Sequence, residues 1–206
     1  MVSRAMITRR AALSGLVALP LIPSVTGERL IPWETRLVRA ARRQIGITLS
    51  YDPAYVSLDY PNGDVPRDRG VCTDVAVRAY RDAFDFDLQS AVHEDMKAAF
   101  GAYPKTWGLT RPDRNIDHRR VPNLETYFRR HGEALPNPSL LTDWHPGDLY
   151  TMRLNGHLPH IGIVSDRVTA MGHHYVLHNI GAGTAEDDIL GLFDEERRFR
   201  LAPPIV

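Results

Sequence analysis

One cysteine and nine histidines set the chemical possibilities of this 206-residue chain. Cys72 stands where Gly70 ends a loop rich in Pro, Asp and Arg. After it, Val75, Ala76, Ala79, Tyr80 and Ala83 recur at the spacing of a helix with one buried face. The spacing predicts Cys72 at a helix N-terminus. Unpaired main-chain N–H groups and the positive end of the macrodipole favour an anion there, which lowers a thiol's pKa and enriches the nucleophilic thiolate. The bland alternative is a cysteine that packs as a small hydrophobe.

Thiolate catalysis also needs a base within hydrogen-bond reach and a third polar group that fixes the base's tautomer. His160 opens the apolar run Ile161 to Val164, so a rigid strand would deliver it from its end. His178 lies in the next strand-like run, Tyr175 to Asn179. If those strands form a hairpin, the two histidines sit side by side on the face that meets the Cys72 helix. Each by itself reads more readily as a core or rim histidine.

The elements that must position these residues follow from periodicity. Pro32 opens a helix to about Gln44 with Leu37, Val38, Ala41 and Ile45 on one side and Gly46 at its end. The Cys72 helix ends near Phe84. A further helix spans about Gln89 to Phe100 and buries Val92, Met96 and Phe100; another spans Pro122 to Arg130, with Leu124, Tyr127 and Phe128 inward and Gly132 as its stop. Between them, Tyr103 to Arg120 is polar and too long for a simple connector. From Pro146 the pattern turns to strands: Asp148 to Leu154, His160 to Val164, Tyr175 to Ile180, and one or two more in Leu190 to Leu201. Helices first and strands afterwards predict a single α+β domain over residues 28–206, with N-terminal helices packed on a C-terminal antiparallel sheet.

Residues 1–27 read differently. Arg4, Arg9 and Arg10 precede an apolar run from Ala11 to Val25 without an acid, the layout of an export signal, and Thr8-Arg9-Arg10 is similar to the twin-arginine type. The run is shorter than the roughly 20 residues that span a bilayer and is broken by Pro20 and Pro23, so no stable membrane span is expected after its removal. Its loss takes three arginines and no acid, leaving 22 basic and 25 acidic residues. A mildly acidic chain argues against nucleic acid as partner. Export to the periplasm sharpens the argument on Cys72, because an unpaired thiol in an oxidising compartment is a liability unless it is used.

Several motifs then agree. Cys72 at a helix start, Trp144-His145-Pro146-Gly147-Asp148-Leu149 leading a strand, His160-Ile161-Gly162-Ile163-Val164, and Val176-Leu177-His178 together resemble the NlpC-type, papain-like cell-wall hydrolases. The resemblance implies Cys72 as nucleophile, His160 as base and His178 as the orienting residue, with Asn179 in reserve for the third role. Tyr51 resembles the tyrosine that lines the substrate site shortly before the cysteine. Where that family commonly has Asp-Cys-Ser, this chain has Val71-Cys72-Thr73; Asp74 or Asp68 is the candidate to replace the missing acid in substrate binding. The inserted region, about 86–123, lacks a counterpart in small members of the family and reads as a groove wall or a structural cap. The detailed wording, including Asp64-Val65-Pro66-Arg67 and Asn115-Ile116-Asp117-His118-Arg119-Arg120, is similar to a bacterial family catalogued as a domain of unknown function, DUF1287.

Together these readings predict an exported cysteine hydrolase that cuts an amide in peptidoglycan stem peptides or a peptide-like substrate, without a cofactor or metal. Two other readings use the same residues. A metal-dependent hydrolase would draw on His93-Glu94-Asp95, Asp117-His118 or His173-His174 with His178, none of which has the spacing of a metal signature such as His-Glu-x-x-His. A non-catalytic wall-binding module would keep the scaffold without the chemistry.

Overall fold

The computed structural model describes residues 31–204, so the export segment read over residues 1–27 lies outside the described residues. Four α-helices, α1 (Trp33–Arg42), α2 (Cys72–Phe84), α3 (Leu88–Ala99) and α4 (Val121–His131), precede most of the strands. A six-stranded antiparallel sheet contains β3 (Glu133–Leu135), β4 (Leu149–Leu154), β5 (Leu158–Val168), β6 (His174–Asn179), β7 (Thr184–Asp187) and β8 (Asp194–Arg200) in the order β3-β8-β4-β5-β6-β7. Two short strands, β1 (Ser50–Tyr51) and β2 (Arg69–Gly70), pair in parallel beside the start of α2. The α+β class expected from the sequence is present. Among the described residues no helix is long and apolar enough to cross a membrane.

The helices form where the apolar spacing puts them. α1 buries Leu37, Val38, Ala40 and Ala41. Ile45, expected on that face, lies beyond the helix and is exposed, because the chain has already turned toward Gly46 in the left-handed region. α2 stops at Phe84 when Asp85 adopts φ +55° and returns its N–H to Arg81. The Asp87 carboxylate caps α3 by accepting from the Gln89 and Ser90 N–H groups. Phe100 is only half-buried and follows α3 in a 3-10 turn, Phe100–Ala102. β3, β7 and the β1–β2 pair were not expected; each has four residues or fewer, too short for an alternation to register.

The sheet separates two cores. Leu149, Ile161, Ile163, Leu177 and Phe199 face α1, α2 and α4. Trp144, Tyr150, Met152, Val164, Val176 and Leu190 form a second cluster on the other face, covered by loops. Strand alternation therefore puts His160, paired with Met152, on the loop-covered face with Gly162 and Val164. This corrects the expectation that the histidines share the face meeting α2. A Cβ at Gly162 would overlap Val176 and come within 3.2 Å of the His178 Cβ, so glycine is what lets β6 lie close enough for His178 to approach.

Candidate active site

Three pieces of chain converge on Cys72. The first is the β1–β2 pair, which brings Tyr51 alongside the start of α2 through Tyr51↔Gly70. Its loop is held from below by Arg78, a buried guanidinium that donates to Asp64, to the Thr48 hydroxyl and to the carbonyls of Val65 and Arg69. The second is the turn into α2, where Asp74 Oδ2 accepts from the Val71 N–H at 2.7 Å and a bidentate Arg119 neutralises the carboxylate at 3.0 and 3.1 Å. The third is β5, whose Ile161 main chain lies near the sulfur.

Cys72 is buried, and burial pushes its thiol up to about 11. The nearby Ile161 and Thr73 main chain and the Tyr51 hydroxyl oppose that rise, while the Asp74 charge adds to it. The lowered thiol pKa expected from the helix N-terminus is thus overturned: loss of solvent outweighs the N–H groups that the turn supplies. Burial and the neighbouring thiol also raise the Tyr51 hydroxyl above its ordinary range.

His160 and His178 meet directly. His160 Nε2 lies 2.9 Å from His178 Nδ1, with the rings nearly perpendicular, and His178 Nε2 lies 3.0 Å from Asp187 Oδ2. Burial drives His160 down to about 3, helped by His178. His178 is lowered by burial too, against the pull of Asp187. Both rings are neutral at pH 7. The His160 Nδ1 makes no hydrogen bond to any described residue, and no hydrogen bond joins the ring to Cys72. His160, His178 and Asp187 form one hydrogen-bonded series, and among the described residues no hydrogen bond links that series to Cys72.

Asn179 and Asp74 have other work. The fully buried Asn179 amide donates to the carbonyls of Ser50 and Gly70 and accepts from the Gly181 N–H. It ties β1 and β2 to β6; it reaches neither His160 nor the open space beside Cys72, correcting its assignments as reserve triad member and substrate ligand. Asp74, enclosed between Arg119 and the Val71 N–H, likewise holds the turn and does not line the groove.

That groove, about 200 Å³, opens beside Cys72. Tyr51, Pro53 and Val71 line one side, Pro159 contributes from the start of β5, and Trp107, Ile116, Arg119, Arg120, Val121 and Pro122 form the rest. The inserted region therefore supplies much of its wall. Two groups escaped the sequence reading. Asp187 lies on the short β7, and the Arg119-Arg120 pair stood in a stretch read only as polar. The adjacency of two arginines just before the helix-opening Pro122 was the available signal for the second. Among the described residues no three His, Cys, Asp or Glu side chains gather into a metal-type cluster; His93 is instead paired with Asp117 at 3.3 Å.

With this geometry in view, sequence comparison places the chain. The family model for a domain of unknown function, DUF1287, matches residues 38–201. The chain belongs to the DUF1287 family. "Uncharacterized protein YijF" of Escherichia coli (strain K12) is 50% identical over 171 residues, covering 83% of each chain. The DUF1287 stretch contains every residue of the thiol–histidine–aspartate series and the whole groove.

Proposed function

We propose that this protein is an exported cysteine hydrolase on a papain-like, NlpC-type scaffold, cleaving an amide bond in peptidoglycan stem peptides. The observation that carries the reading is the 2.9 Å contact of His160 Nε2 with His178 Nδ1, which leaves His160 Nδ1 without a hydrogen-bond partner among the described residues, in a domain whose one cysteine starts a helix beside an open groove. A helix-start thiol, a strand-borne imidazole and a polar orienter on the following strand are the parts that acyl transfer requires.

In the proposed reaction the neutral imidazole of His160, reaching past the start of β5 from the sheet face opposite α2, takes the Cys72 proton at Nδ1 as the sulfur attacks the substrate carbonyl. Proton transfer accompanies attack, since the resting thiol and imidazole are both uncharged. The oxyanion is met by the Cys72 main-chain N–H, free at the first turn of α2, and by the Tyr51 hydroxyl. The C–N bond breaks and the imidazolium returns its proton to the leaving amine. His160 then deprotonates a water, which cleaves the thioester and releases the acid and the thiol. His178 holds the His160 ring through Nε2, and Asp187 fixes His178 in turn.

Mass spectrometry of soluble products from purified peptidoglycan tests this reading. The mature protein should release muropeptide fragments, and Cys72→Ala should release none. Equal release by both proteins would remove thiol hydrolysis from consideration.

A further inference from the structure

Of the two arginines in the groove, only one is occupied. Arg119 is spent on Asp74 and on the carbonyls of Asp52 and Ala54. Arg120 lies with its guanidinium 4.1 Å from the centre of the Trp107 ring and donates no hydrogen bond to any described residue. Its Nη1 is nevertheless shut off from solvent, so a strong donor has lost water without gaining an acceptor. Asp113 and Asp117 are near enough to favour its charge but form no ion pair with it, and burial outweighs them, lowering its pKa. A half-buried guanidinium with one enclosed, unpartnered N–H group, set over an aromatic ring on the groove wall beside Cys72, suits a carboxylate. Pro53, Val71 and Pro159 make the remaining wall apolar, suited to the carbon skeleton between that carboxylate and the reacting carbonyl.

We infer that Arg120, backed by Trp107, is a specificity-determining residue that binds a free carboxylate of the substrate close to the bond attacked by Cys72. The inference rests on the hydrolase reading for its placement in the reaction, but the binding site itself can be tested without turnover. The substrate class is an amide or peptide bearing an additional carboxylate near the scissile carbonyl.

The test uses two stem tetrapeptides identical except that the carboxylates along one are free and those of the other are carboxamides. Calorimetry on the mature Cys72→Ala protein should give at least tenfold tighter binding of the acid peptide. Adding Arg120→Gln should bring the two affinities to within about twofold, and Arg120→Lys should keep part of the preference. Equal affinities for acid and amide in Cys72→Ala, or an undiminished preference in the Arg120→Gln protein, would overturn the carboxylate site. Hydrolysis of the same pair by the protein with Cys72 intact separates the two claims. Selective binding without cleavage would keep the site and sink the hydrolase, whereas cleavage of both peptides at equal kcat/KM would sink the site and keep the hydrolase. The acid-to-amide ratio is read within one protein, so it stands even if Arg120→Gln folds poorly.

Discussion

Two buried polar clusters of this molecule treat charge in opposite ways. Under β4 and β8, Asp148 is fully enclosed but paired with Arg198 at 2.6 Å and with Arg200 at 2.6 Å, and it also accepts from the His145 N–H. Glu125 is treated alike by Arg153, Arg197 and the Thr151 hydroxyl. In the candidate site, by contrast, the enclosed groups are the Cys72 thiol and, across the sheet, two imidazoles, all driven toward their neutral forms. Matched ions lock a structure, because moving either partner strands the other. Neutral titratable groups in contact store the capacity to move a proton, and the fold keeps them uncharged until something arrives to share the charge.

The difference can be broken most forcefully at His160. His160→Ala should lower product release about 1,000-fold, the loss expected for a general base, while leaving the thermal midpoint close to that of the unaltered protein. A large stability loss with little change in the activity of the folded fraction would make the cluster a structural one. Asp148→Ala should do the reverse. It strands Arg198 beneath Trp144 and should cost about 3 kcal/mol in a denaturant titration, with activity tracking the folded fraction.

A smaller effect is expected at the solvent end of the series. Asp187 is half-exposed, so Asp187→Asn should reduce kcat by about tenfold, the low end of the range for the outer partner of a functional histidine, and shift the acid limb of the pH profile. Because Asp187 raises the His178 pKa, its removal moves that limb toward lower pH. An unchanged profile would leave Asp187 as surface decoration.

The smallest effect is on stability. His118 and His160 are held down to about 3 in the fold against 6.5 unfolded, with His178 lowered in the same direction. The unfolded chain therefore binds more protons below pH 6.5, and stability falls as pH drops from there toward 3. Thermal melts between pH 7 and pH 5 should show this decline, and His118→Gln should flatten it without touching activity. A flat profile in the unaltered protein would mean that the histidines are solvated.

The helices were legible because each buries one stripe, and stripes such as Leu37, Val38 and Ala41 or Leu124, Tyr127 and Phe128 repeat often enough to fix the element. Cys72, His160 and His178 were legible as residue types at element starts and ends. Which sheet face carried the histidines was not, since that depended on pairing β4 with β5 through Met152↔His160. The division of labour between His178 and its neighbour was hidden for the same reason. Asp187 could not be found because β7 is only four residues long, and the state of the thiol depended on burial, a property of the assembled fold.

Asn179 carries one more consequence. Its amide spans from β6 to both strands that present Tyr51 and the Cys72 turn, while the adjoining residue, His178, holds the His160 ring. The two banks of the cleft are thus indexed to consecutive positions of one strand, like two gears keyed to a single shaft. An activity-based mutational scan would flag Asn179 as strongly as the nucleophile, although it need never meet the substrate. Only structure-sensitive readouts, such as altered Tyr51 reactivity, would tell the alignment key from the chemistry it aligns.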